Sequence, residues 1–170
     1  MLKVLMIALV MLLPVNTEKK MDTYISEEYQ GYVYEVADQY DLDPELIVAM
    51  IEAESSGRPS VVSSAKCIGL MQVSPKWHKE RMEELGVTDL TDAYGNILVG
   101  CDFVAELFDK YEDVYAVLMA YNEGEYSGAI KRANKGEYSE YAKKIVARIK
   151  ELKESTRVCK PICDKGRSRK

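Results

Sequence analysis

Two carboxylates, Glu52 and Glu54, stand two residues apart in the stretch Ile51-Glu52-Ala53-Glu54-Ser55-Ser56-Gly57-Arg58-Pro59, at the end of an apolar run. Paired acids are the common equipment for cleaving a glycosidic bond, one as acid and the other as base or nucleophile. Helical geometry separates this pair. At about 100° per residue, Ile47 lies about 20° from Glu54, Met50 about 40° and Ile51 about 60°, whereas Glu52 lies about 160° away, near Glu45. Glu54 thus belongs to the apolar face and Glu52 to a solvated one. A carboxyl group among apolar side chains, in the last turn where the helix dipole is negative, has its pKa raised. A glutamate held protonated in this way is suited to general acid catalysis.

Other chemistry-bearing residues are few. His78 is the single histidine, set in the polar stretch PKWHKERM, and is expected to face solvent. With no CxxC pair and one histidine, no metal site is expected. Four cysteines, Cys67, Cys101, Cys159 and Cys163, allow three pairings. Local order favours Cys67–Cys101 and Cys159–Cys163.

These residues ride almost entirely on helices. Residues 27–39 follow Ser26 with acids in the first turn, and Asp43-Pro44-Glu45 is a cap, a first-position proline and a dipole-matched acid. Residues 75–84 open on Pro75 and stop at Gly86; residues 95–111 place Ile97, Cys101, Val104 and Phe108 at helical spacing. Asp113 caps 113–122, and Tyr138, Tyr141, Ile145 and Ile149 set the period of 138–152. No useful stretch alternates with period two. The chain reads as all-α with little or no sheet: one domain, residues 25–153, in 170 residues that are 47% apolar and 30% charged.

The ends differ from the domain. Val4–Val15 is an apolar run behind Lys3, too short for a bilayer span of about 20 residues but fitting a signal-peptide core. Residues 1–20 are therefore read as a signal peptide or an uncleaved membrane anchor, and the protein as exported. Residues 154–170 form a basic, cysteine-containing tail. The net charge of −5 argues against a nucleic-acid partner.

The residues from Glu54 to Gln72 resemble the signature of the soluble-type (SLT) lytic transglycosylases. That signature is a Glu-Ser pair, Pro59 four residues after Ser55, Ser63 four after that, then Gly69-Leu70-Met71-Gln72. Ala120-Tyr121-Asn122-Glu123-Gly124 is similar to the family's second motif, and Asn96-Ile97-Leu98-Val99-Gly100 to a helical step between the two. Tyr141 resembles a closing tyrosine, with Glu137 before it.

The resemblance implies a lysozyme-like fold acting on peptidoglycan glycan strands without cofactor, and the chain is read as a monomer. The bond cut would be the β-1,4 link between N-acetylmuramic acid and N-acetylglucosamine. It casts Glu54 as the catalytic acid and base, assisted by the substrate acetamido group, and makes 1,6-anhydro ends. Ser63, Gln72, Tyr121, Asn122, Glu137 and Tyr141 would bind substrate; Ser55, Gly69 and Met71 would support, with Tyr121 beside Glu54. Lys66, Cys67, Ser74 and Glu123 depart from the family pattern, and Glu123 adds a carboxylate that could activate water. A goose-lysozyme-like hydrolase and a wall-binding module of a secretion, conjugation or phage machine are the alternative readings.

Overall fold

The computed structural model describes residues 20–158. Within them run α1 (Glu27–Gln39), α2 (Pro44–Ser55), α3 (Lys79–Glu84), α4 (Ala93–Lys110), α5 (Val114–Glu123), α6 (Ala129–Ala133) and α7 (Glu140–Val158). A 3-10 turn, Glu125–Ser127, links α5 to α6. Among the described residues there is no strand, only two isolated antiparallel bridges, Val62 with Ile68 and Ile68 with Val73. The all-α expectation holds. The apolar segment Val4–Val15, Cys159 and Cys163 lie outside the described residues. Among those described, no helix is long and apolar enough to cross a membrane.

Short polar side chains start the main helices. Ser26 accepts from the Tyr29 N–H, Asp43 from Glu45, Asp92 from Gly95 and Asp113 from Tyr115. Each satisfies a donor that a helix start leaves without an internal partner. The expected helix at 75–84 shrinks to Lys79–Glu84, because the N–H groups of Trp77 and His78 both turn back to the Ser74 carbonyl at 3.2 and 3.0 Å. The five-residue α6 was not expected; it is too short to show a period.

Helix α2 is the centre of the core. Leu46 through Ile51 are all buried, with Ile47, Met50 and Ile51 fully so. Such a helix, apolar on nearly every side, needs neighbours all round. It packs on α1 and α7, while α4, α6 and α7 surround α5. Met21 and Ile25 seal one end, held by the buried Gln30 amide, which accepts from the Met21 N–H (3.1 Å) and donates to the Ile25 carbonyl (2.8 Å).

Between α2 and α3 the chain makes a long arm, pinned by Asn96 of α4. The fully buried Asn96 amide donates to the Ile68 carbonyl (2.9 Å) and the Leu90 carbonyl (2.8 Å) and accepts from the Met71 N–H (2.8 Å). Two glycines make this contact possible. Gly69 has φ +81°, and a Cβ there would stand 2.2 Å from Asn96 Nδ2. A Cβ on Gly100 would stand 2.4 Å from the Met71 sulfur. The arm therefore presses backbone and Met71 directly onto α4.

The expected Cys67–Cys101 disulfide is not formed; both are free thiols. Cys101 faces the core from α4 and is completely buried, and burial pushes its thiol pKa far up. A thiol held neutral in this way is a poor partner in disulfide exchange. Cys67 lies half-buried in the arm, its backbone N–H and C=O both engaged by Ser63.

Asn96→Ala leaves the Met71 N–H and the Leu90 carbonyl without their partner, while the Ile68 carbonyl keeps the Val73 N–H at 3.0 Å. It is expected to lower stability by about 3 kcal/mol, measured by urea unfolding. A loss below about 1 kcal/mol would show that the arm does not depend on this amide.

Candidate active site

Glu54 occupies the last turn of α2, half-buried, where Ser56 ends the helix in the left-handed conformation at φ +54°. Its carboxylate accepts a 2.5 Å hydrogen bond from the Tyr141 hydroxyl, which reaches over from α7. Burial raises the Glu54 pKa, and the Tyr141 bond pulls it back in part. Burial and the neighbouring Glu54 charge in turn hold the Tyr141 phenol well above its usual range, so it stays a donor.

Tyr121 was expected beside Glu54. It is near enough that the Glu54 charge, after burial, raises its own pKa. Its hydroxyl, however, donates to the Met71 carbonyl at 2.8 Å. Tyr141 is the phenol that touches the acid, and Tyr121 ties the arm to α5. The stacked rings of Tyr115 and Tyr138, 3.8 Å apart, join the start of α5 to the turn before α7.

The remaining expected residues divide between arm and surface. Ser63 Oγ accepts from the Cys67 N–H (3.0 Å), closing a tight turn. Gln72, at φ +50°, donates from Nε2 to the carbonyls of Val61 (3.2 Å) and Gly69 (3.0 Å). Both side chains therefore build the arm. Ser55 is buried and bonds back to the Ile51 carbonyl at 3.2 Å, a local helix contact. Met71 is core. Asn122 is exposed at the end of α5, and Glu137 is exposed in the turn before α7, its N–H on the Arg132 carbonyl. Glu123 forms an ion pair with Arg132 of α6.

Two expectations fail in an informative way. Glu52 is not a solvated residue. Arg148 of α7 grips it from Nε (2.7 Å) and Nη2 (3.0 Å), and Thr23 donates to it at 2.5 Å. Its side chain is only 9% exposed. His78 does not face solvent either. Its ring lies 4.6 Å from that of Phe103, which lies 5.4 Å from that of Tyr121. Burial and then Arg81 push the His78 pKa down to about 4, so the ring is neutral. Arg81 itself is paired with Asp102 and Glu106 on α4. Phe103 and Arg81 were missed as neighbours of the site; Phe103 lies off the apolar stripe that the spacing of α4 marks.

The raised Glu54 pKa has a consequence for stability. The folded state holds this proton more tightly than the unfolded chain does. The group's contribution is therefore complete below the unfolded pKa of about 4.3 and falls as pH rises through the folded value. Glu54→Gln removes that loss. Its melting temperature is expected to match wild type at about pH 4 and to exceed it at about pH 8. A wild-type advantage at the higher pH would contradict a buried, proton-holding Glu54.

Comparison with known proteins places this geometry. Residues 31–146 match the family model described as the transglycosylase SLT domain. The chain is 41% identical over 86 residues to a transglycosylase of Enterobacteria phage PRD1, covering 51% of this chain and 31% of that one. It is 30% identical over 143 residues to the membrane-bound lytic murein transglycosylase C of Sodalis glossinidius, covering 72% and 37%. The chain thus spans about a third of the length of these relatives.

Two solved structures share the lysozyme-like fold at 18% identity. An inactive glutamate-to-glutamine mutant of the lytic transglycosylase Slt from Pseudomonas aeruginosa superposes with TM-score 0.64, covering 79% of this chain and 25% of that one. The 70 kDa soluble lytic transglycosylase of Escherichia coli superposes with TM-score 0.63, covering 75% and 24%. With the family model matched over most of its helical domain, the chain belongs to the SLT-domain transglycosylase family.

Proposed function

We propose that this chain is a peptidoglycan lytic transglycosylase in which Glu54 acts alone, first as acid and then as base. The observation that carries this reading is one half-buried carboxyl group, its pKa raised by burial and its position fixed by Tyr141 at 2.5 Å. The other carboxylates of the motif segments are already engaged, Glu52 with Arg148 and Glu123 with Arg132. Neither is left as a natural second acid or as a base for water, which favours the lytic reaction over the hydrolytic one.

The steps balance without water. Glu54 donates its proton to the glycosidic oxygen between N-acetylmuramic acid and N-acetylglucosamine, and the C1–O bond breaks. The 2-acetamido oxygen of the muramyl residue stabilises the positive C1, as in substrate-assisted glycosidases. Glu54, now a carboxylate, takes the proton of the C6 hydroxyl, and O6 bonds to C1. The proton has moved from O6 to the leaving oxygen, and a 1,6-anhydro ring has closed. Tyr141 steadies the carboxylate between the two steps, where its hydrogen bond is strongest. The supporting residues act on the cleft's shape: Ser63, Gln72 and Gly69 hold the arm, Met71 and Tyr121 join it to α4 and α5, and the exposed Asn122 and Glu137 are left to meet the substrate.

Relatives named as membrane-bound murein enzymes, together with the Val4–Val15 segment, support work on the wall outside the cytoplasm. The protein would meet the glycan as a monomer.

Mass spectrometry of digested peptidoglycan tests the chemistry. The expected products carry anhydro-muramyl ends, one water lighter than the reducing ends that a hydrolase leaves. Glu54→Gln is expected to lower turnover by about 10³-fold or more while keeping the fold. Products with only reducing ends would assign the hydrolytic reaction, and binding with no turnover a wall-anchoring module.

Tyr141→Phe probes the partner of the acid. Loss of a hydrogen bond to a charged group is expected to cost about tenfold in kcat. Because that bond lowers the Glu54 pKa, its removal should shift the alkaline limb of the rate profile to higher pH. A limb that stays put would show that Tyr141 does not act through Glu54.

A further inference from the structure

The side of α2 that faces away from Glu54 is held as firmly as the acid itself. Residues 21–25, ahead of α1, lie across the end of this helix, with Met21 and Ile25 buried. The Thr23 hydroxyl donates to the Glu52 carboxylate at 2.5 Å and accepts from the Ile25 N–H at 3.2 Å, so its proton is committed to Glu52. The Tyr24 hydroxyl donates to the Glu52 carbonyl at 3.3 Å. Past the acid, a Cβ on Gly57 would stand 3.6 Å from Ile25 Cγ1 and 4.0 Å from the ring of Tyr24. Residues 21–25 thus meet the chain on both sides of Glu54 in sequence, at Glu52 and at Gly57.

Arg148 of α7 ties this segment to the same place. Its guanidinium donates to Glu52 from Nε (2.7 Å) and Nη2 (3.0 Å), to the Asp22 carbonyl from Nη2 (2.8 Å) and to Glu151 from Nη1 (3.0 Å). A planar fork engaged on three sides is fixed in orientation. Arg148 stands about two turns beyond Tyr141 on α7, so that helix meets the end of α2 through two polar contacts, Tyr141 with Glu54 and Arg148 with Glu52. A cavity of about 400 Å³ lies beside the second contact, lined by Ala49 and Ala53 of α2, Ile145 and Arg148 of α7, and Tyr24. Apolar packing is therefore thin at this point, and the polar contacts set how α7 lies on α2.

Glu52 offers the substrate no acid. Its side chain is 9% exposed and points about 160° around the helix from Glu54. Among the described residues, the ionisable groups that bear on Glu54 are the phenols of Tyr141 and Tyr121. Glu52 and Arg148 can therefore reach the acid only through position. Resting on the function proposed above, we propose that Thr23, Glu52 and Arg148 are positioning residues for the reaction. They lock α7 and residues 21–25 to the last turn of α2 and so keep Tyr141 and Glu54 at bonding distance.

Two mild substitutions test the lock. Arg148→Lys keeps the charge and loses the fork, and Thr23→Val removes the hydroxyl at nearly constant volume. Each is expected to lower kcat on peptidoglycan about threefold to fivefold with KM changed less than about twofold, and Thr23→Ser to restore it. Added to Tyr141→Phe, where the protected bond is already gone, each should lower kcat further by less than about 1.5-fold. A readout independent of turnover comes from NMR titration of carbon-13-labelled glutamate carboxyls, with the Glu54 signal identified by its loss in Glu54→Gln. Arg148→Lys and Thr23→Val should both move the Glu54 midpoint toward that of Tyr141→Phe. Unchanged kcat, losses that multiply in full with Tyr141→Phe, or a Glu54 midpoint equal to wild type would each overturn the proposal. Should Arg148→Lys unfold, Thr23→Val and Thr23→Ser decide by the same measurements. A wild type that cleaves no peptidoglycan would strike the proposed activity, and the Glu54 midpoints would still decide the lock.

Discussion

The buried amide of Asn96 fixes the relation between the helical core and the segment that flanks Glu54. Three polar contacts leave it, and all three end on the backbone of the arm or of the loop before α4. In a low-dielectric setting such bonds are strong, and losing one leaves a costly unpaired group. The amide is reached only because Gly69 and Gly100 have no side chain in the way. Once Met71 is seated, its carbonyl meets Tyr121. One side chain on α4 thereby sets the position of the arm and the place of an aromatic ring near the acid.

Glu54 itself depends on a second pair of helices. Helix α7 contributes Tyr141 to Glu54 and, two turns on, Arg148 to Glu52. These contacts hold the last turn of α2 from both sides of the helix. They also give the two acids different partners. Glu52 sits in a bidentate ion pair with Arg148, while Glu54 meets only a neutral phenol, and burial raises its pKa. Two carboxylates two residues apart are thus given different environments by one neighbouring helix.

Much of this was legible in the sequence. Ser26, Asp43 and Asp113 cap helices because a short polar side chain before an apolar period has few other uses. The angle between Glu54 and Ile47 placed the acid on the dry side, since that angle is a property of one helix alone. Contacts between distant segments were not legible. Glu52 was read as solvated because its partners, Thr23 and Arg148, lie 29 and 96 residues away. His78 was read as exposed from its polar neighbours, yet Phe103 covers it. The Cys67–Cys101 pairing was drawn from sequence order, which carries no information on where two sulfurs point. Which of Tyr121 and Tyr141 bonds to Glu54 was not legible for a like reason. A phenol that carries a hydroxyl some distance from its backbone can serve either of two acceptors, and only the packed helices decide which.

The polar residues of the arm carry a further lesson about motifs. Ser63 and Gln72 were expected to touch sugar, yet their side chains close the turn at 63–67 and brace the one at 69–72. These uses are compatible. A donor already spent on the backbone holds the arm in one conformation, which lowers the ordering cost of any contact made to it. Gln72 and Lys66 also sit at positive φ, as non-glycine residues rarely do. Such backbone is kept only where the surroundings dictate it, and here Asn96, Ser63 and the bridge from Ile68 to Val73 dictate it. The motif is then best understood as the set of residues needed to make a rigid wall out of irregular chain.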